Sequence, residues 1–116
     1  MPGMHHFVGA SRAIAAADVT LHANWGTTPT LALAGNGQRG KVTITAKATT
    51  GADPTVVVAF PLAFEAAPAA VLVGKADVND TEVFTVTAIS TTSFTVTLKG
   101  TPTADTVYSF YYFVCP

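Results

Sequence analysis

Three stretches of this chain alternate strictly between apolar residues and threonine. Val42, Ile44 and Ala46 are separated by Thr43 and Thr45. Phe84, Val86 and Ala88 are separated by Thr85 and Thr87, and Phe94, Val96 and Leu98 by Thr95 and Thr97. A period of two sends every second side chain to the same face, and β-branched residues favour the pleated backbone. Such segments are half-buried antiparallel strands with threonine turned to water. The pattern predicts an all-β domain, a small antiparallel β-sandwich. Strands are expected over residues 41–48, 55–60, 69–75, 82–89, 93–99 and 107–115, with a shorter one beginning at Thr30. Phe60, Phe84, Phe94 and Phe110 sit on these apolar runs and are the expected core aromatics.

The closing stretch is apolar on both faces. Tyr108, Phe110, Tyr112 and Val114 share one parity; Val107, Tyr111, Phe113 and Cys115 share the other, with only Ser109 polar. A strand of this kind is buried on both sides. One side fills the sandwich. Val107, Tyr111 and Phe113 are then left for a subunit interface.

Charge is scarce, at 11% of 116 residues, against roughly 25% in ordinary domains. An exterior so poor in charge fits burial against other subunits. The net charge is −1, and the cations Arg12, Arg39, Lys41, Lys47, Lys75 and Lys99 are scattered. Nucleic-acid binding calls for a basic stripe, so it is set aside. No apolar run reaches the roughly 18 residues of a membrane span. The opening Met1-Pro2-Gly3-Met4-His5-His6 does not read as a signal peptide. Cys115 is the single cysteine, so no internal disulfide forms.

Residues 1–24 differ from the rest. Residues 11–17 are Ala-rich and suit the start of a short helix capped by Ser11, too short to be stable alone. Val19, Leu21, Ala23 and Trp25 alternate as a strand would. The chain divides on this reading into a docking arm, 1–24, and a β-sandwich knob, 25–116. Phe7, Val8, Ile14, Val19 and Leu21 are the arm's candidate contacts. An N-terminal edge strand of the same sandwich is the competing reading of the segment.

The chemical motifs are weak. Gly35-Asn36-Gly37-Gln38-Arg39-Gly40-Lys41 has the spacing of a phosphate loop, but Val42 follows where Ser or Thr would hold Mg²⁺, and a strand follows where a helix should. A glycine-rich turn is the better reading. His5, His6 and His22 form no spaced metal-ligand set. Asp77, Asn79, Asp80 and Glu82 cluster in one loop without the glycine and length of an EF-hand. They read as an exposed loop and a candidate ligand contact. Ser and Thr are abundant, yet no nucleophile elbow or His/Asp arrangement accompanies them. No enzyme, cofactor or metal is expected.

Residues 35–116 resemble the C-terminal knob domains of bacteriophage fibres and related virion-surface proteins. The resemblance is carried by Leu33 through Ile44, by Val56-Val57-Val58-Ala59-Phe60 and by Ala67-Pro68-Ala69-Ala70-Val71-Leu72-Val73. It continues through Ile89-Ser90-Thr91-Thr92-Ser93-Phe94-Thr95-Val96 and Tyr108-Ser109-Phe110-Tyr111-Tyr112. The order of these turns and strands is also similar to that of H-type lectins, which are small trimeric β-sandwiches. The resemblance implies a homotrimer with its closing strands near the axis. It carries no sugar site over: the only tryptophan is Trp25, and no histidine follows His22.

With no fibre shaft, the chain looks like a capsid decoration protein or a small head or collar fibre. The expectation is a non-enzymatic structural protein on the virion surface, made in the host cytoplasm and fastened to a capsid or other virion protein by its arm. The alternative is a tail-fibre tip that binds a host receptor or glycan.

Overall fold

The alternating stretches become paired strands in the computed structural model, which describes residues 13–75 and 83–116. In chain order the strands are β1 (Val19–Leu21), β2 (Thr30–Gly35), β3 (Arg39–Thr45), β4 (Thr55–Ala59), β5 (Ala70–Lys75), β6 (Val83–Ile89), β7 (Ser93–Lys99) and β8 (Val107–Cys115). They form two four-stranded sheets, ordered β1-β4-β7-β6 and β2-β3-β8-β5, with every neighbouring pair antiparallel. The all-β sandwich expected from the sequence is the observed fold.

The inner faces are set by parity. Val42 and Ile44 of β3 and Tyr108, Phe110, Tyr112 and Val114 of β8 meet Val56 and Val58 of β4 and Phe94, Val96 and Leu98 of β7. All are essentially inaccessible to water. Fully burying one such side chain is worth roughly 1.5–3 kcal/mol, so this set dominates the stability. The aromatic rings meet tilted, with Phe94 and Tyr112 centroids 5.3 Å apart and Phe60 and Phe94 5.8 Å apart, geometries that aromatic quadrupoles favour.

Strand ends have local causes. β3 stops at Thr45 because Ala46 turns its N–H to the Thr106 carbonyl and its own carbonyl to the Asp105 N–H. β4 stops at Ala59, since Pro61 follows and Phe60 donates instead to the Thr92 carbonyl. The β6–β7 turn is held by Ser90, whose Oγ accepts the N–H groups of Thr92 and Ser93 at 3.2 and 3.1 Å.

The segment before Trp25 belongs to the sandwich over its described part. Val19 pairs with Val58 and Leu21 with Val56. Ile14 is buried, and its N–H donates to the Gly35 carbonyl. The division at 24/25 is therefore corrected: no boundary falls there, and the edge-strand reading describes residues 13–24. The expected Ala-rich helix reduces to one 3₁₀ turn, Ala16–Asp18; Ser11 lies outside the described residues. Trp25 itself is wholly buried, with its indole N–H donating to the Thr55 carbonyl at 3.0 Å.

Candidate functional site: the outer face of the β2-β3-β8-β5 sheet

The two outer faces of the sandwich differ in chemistry. On the β1-β4-β7-β6 sheet, Thr55, Thr97 and Thr85 align in register, and Thr20, Val57 and Thr95 form the next row. A register shift between Val86 and Ala88 brings the Thr87 hydroxyl within 2.9 Å of the Thr97 hydroxyl. Threonine dominates this face.

The β2-β3-β8-β5 sheet turns aromatic and aliphatic side chains outward instead. Leu72, Tyr111, Val107 and Phe113 are 60%, 53%, 45% and 41% exposed. Only Leu62 and Val83 match them among the large apolar residues described, and neither lies on this sheet. The register explains the cluster. Phe113 sits between Arg39 and Leu72, and Tyr111 between Lys41 and Gly74. One row further, Ser109 faces Thr43, and their hydroxyls hydrogen-bond at 3.1 Å. Val107 closes the far end opposite Thr45.

The charged end of this face is a groove. Ala34, Arg39, Lys41, Tyr111 and Phe113 are among the residues that line an open, mainly apolar depression of about 450 Å³. Ala34, Gly35 and Gly40 are the small residues of its lining. Lys41 Nζ lies 5.5 Å from the centroid of the Tyr111 ring, within reach of a cation–π attraction. Lys47 and Asp105 pair at 3.3 Å elsewhere. Arg39 and Lys41 have no ion-pair partner among the described residues.

The turn before β3 shapes one wall. Asn36 Oδ1 accepts the N–H groups of Gln38 and Arg39 at 2.9 and 3.0 Å, and the Asn36 N–H donates to the Arg39 carbonyl. The Asn36 carbonyl accepts the Tyr112 hydroxyl. Burial pushes the Tyr112 phenol up to about 12, with a smaller push from the Asp18 carboxylate. Gly35 and Gly40 pair across the antiparallel β2–β3 ladder, so the glycine-rich segment is a hairpin turn running into a strand.

The residues singled out from the sequence divide cleanly. Phe60, Phe94 and Phe110 are buried in the core. Phe84, on edge strand β6, is partly buried and packs against that core, leaning on Phe110 with ring centroids 5.0 Å apart. Val107, Tyr111 and Phe113 share the outer face. Of the arm contacts, Ile14 and Val19 are in the core and Leu21 packs against it, while Phe7 and Val8 lie outside the described residues, as do His5 and His6. Asp77, Asn79, Asp80 and Glu82 also lie outside them. His22 is exposed and accepts the Asn24 N–H through Nδ1. Among the described residues no three His, Cys, Asp or Glu side chains gather as a metal site.

Sequence reasoning missed Arg39, Lys41 and Leu72 as members of the aromatic face. The parity of Arg39 and Lys41, opposite to that of Val42 and Ile44, already turns them outward. Only the pairing of β3 with β8 places them beside Tyr111 and Phe113.

No family model, no curated protein and no solved structure matches the chain.

Proposed function

We propose that the chain is a non-enzymatic structural protein of a bacteriophage virion surface, acting as a homotrimer in the manner of a capsid decoration protein or a small head or collar fibre knob. The virion assignment rests on the likeness of residues 35–116 to fibre knobs. The observation that carries the assembly is the gathering of Leu72, Val107, Tyr111 and Phe113 on one outer sheet face. Exposed apolar surface gathered on one face in this way marks contact. The threonine face of the other sheet is suited to remain in water. Residues 1–12, with Phe7 and Val8, are assigned to fastening the trimer to a capsid or other virion protein.

A receptor- or glycan-binding tip is the second reading. It is favoured by the exposed aromatics Tyr111 and Phe113 next to Lys41 and Arg39, a surface on which a sugar ring can stack.

Sedimentation tests the assembly: it predicts a wild-type trimer at micromolar concentration, which Tyr111→Asp weakens. Binding on a glycan array supports the second reading. Copy counting on purified particles tests the virion assignment: decoration requires many symmetry-related copies, a tip only a few.

A further inference from the structure

We infer that the groove beside Tyr111 receives the loop 61–67 of a neighbouring copy, with Leu62 seated on the apolar floor and Glu65 facing Arg39 and Lys41. This rests on the homotrimer reading and specifies its contact.

The groove sets the chemistry of its occupant. Its floor is apolar, and its two cations have no ion-pair partner among the described residues. Packing two such faces against each other about a two-fold axis would crowd like charges, an arrangement that interfaces avoid. The occupant therefore carries an apolar side chain and an acid close together.

Among its described residues the chain itself presents one such segment. Among the described acids, Asp18 has an interaction of its own, Asp53 accepts the Gly100 N–H at 2.8 Å, and Asp105 pairs with Lys47. Glu65 is exposed and makes no ion pair among the described residues. Three residues before it, Leu62 is 57% exposed.

The loop is also held in place. Phe60 and Phe64 donate their N–H groups to the Thr92 and Thr91 carbonyls, both at 2.8 Å, and their rings meet edge to face with centroids 4.8 Å apart. Leu62 and Glu65 are thus displayed from an anchored turn, which lowers the ordering cost of association. Groove and loop are different surfaces of one chain. A contact between them is heterologous, the kind that closes into a ring when the rotation allows it.

The test is charge reversal and rescue by sedimentation velocity on the full chain. Glu65→Lys alone, and Arg39→Glu with Lys41→Glu, should each weaken association by about tenfold or more, and all three changes together should recover most of it. Leu62→Ser should weaken it as well, and is the readout if a reversal variant loses the β-sheet circular dichroism spectrum. A wild-type trimer that Glu65→Lys leaves intact, or a combined variant as weak as its parents, overturns this contact while the trimer reading stands. A wild-type monomer overturns both.

Discussion

Gly40 stands directly opposite Tyr112 in the β3–β8 register, and the space left by its missing side chain is where the tyrosine hydroxyl passes to reach the Asn36 carbonyl. A Cβ on Gly40 would lie 2.8 Å from that hydroxyl and 2.4 Å from the Ala34 carbonyl oxygen. The aromatic strand is thereby tied to the hairpin that walls the groove. Interior and outer face are coupled at this one position.

Gly40→Ala should destabilise the fold by about 1–3 kcal/mol, because neither the Ala34 backbone nor the pinned ring can yield cheaply. Gly74→Ala is the control. Its Cβ enters open space, and replacing a strand glycine should be neutral or stabilise by up to about 1 kcal/mol. Urea unfolding of the two variants checks the contrast.

Tyr112 gives the fold a sensitivity to alkali. Its pKa rises to about 12 in the folded protein, first from burial and then from Asp18, against about 10 when unfolded. The folded state then holds a proton that the unfolded state releases. The stabilisation is complete below pH 10 and is lost as pH climbs from there towards 12. Tyr112→Phe should be less stable at neutral pH, because the Asn36 carbonyl loses its donor. It should also lack this tyrosine's share of the alkaline decline. Denaturation midpoints measured from pH 8 to 12 read both effects.

Phe94→Ala should cost about 3–5 kcal/mol, since the ring is wholly buried between Phe60 and Tyr112. Phe84→Ala should cost less, because its side chain is only partly buried. Equal losses in chemical denaturation would contradict this assignment of edge and core.

Deleting residues 1–24 should strip β1 from β4 and remove buried Ile14 and Val19, a loss of at least about 3 kcal/mol. Deleting residues 1–12 leaves the β1–β4 pairing and the buried Ile14 and Val19 in place, so it should lower the thermal midpoint less than the longer deletion does. The shorter deletion is therefore the one that tests attachment. Wild-type occupancy on particles after removal of residues 1–12 would move docking to the sandwich.

Much of the sandwich is legible in the sequence because its strands carry their burial in their parity. β8 is the clearest case: its two apolar faces are visible in nine residues, and the structure sorts them as the alternation implies. β1 is not legible in the same way. It has three residues, and nothing local in Val19–Leu21 says that β4 is its partner. Trp25 is the readable signal in this segment, since so large an apolar ring is on average highly buried. The groove was hidden for another reason. Arg39 and Tyr111 are 72 positions apart in the sequence, and only strand order makes them neighbours.

The position of β8 governs how the chain is assembled in time. It lies between β3 and β5, yet it emerges from the ribosome after both. Until it arrives, the β2–β3 hairpin and β5 each present an unpaired backbone edge and an uncovered apolar face, the conditions under which nascent β-chains aggregate. The same strand carries Val107, Tyr111 and Phe113 on its other side. Completion of the sheet and appearance of the aromatic face are thus one event, so no partly folded chain displays the full aromatic face before its own sheet is closed.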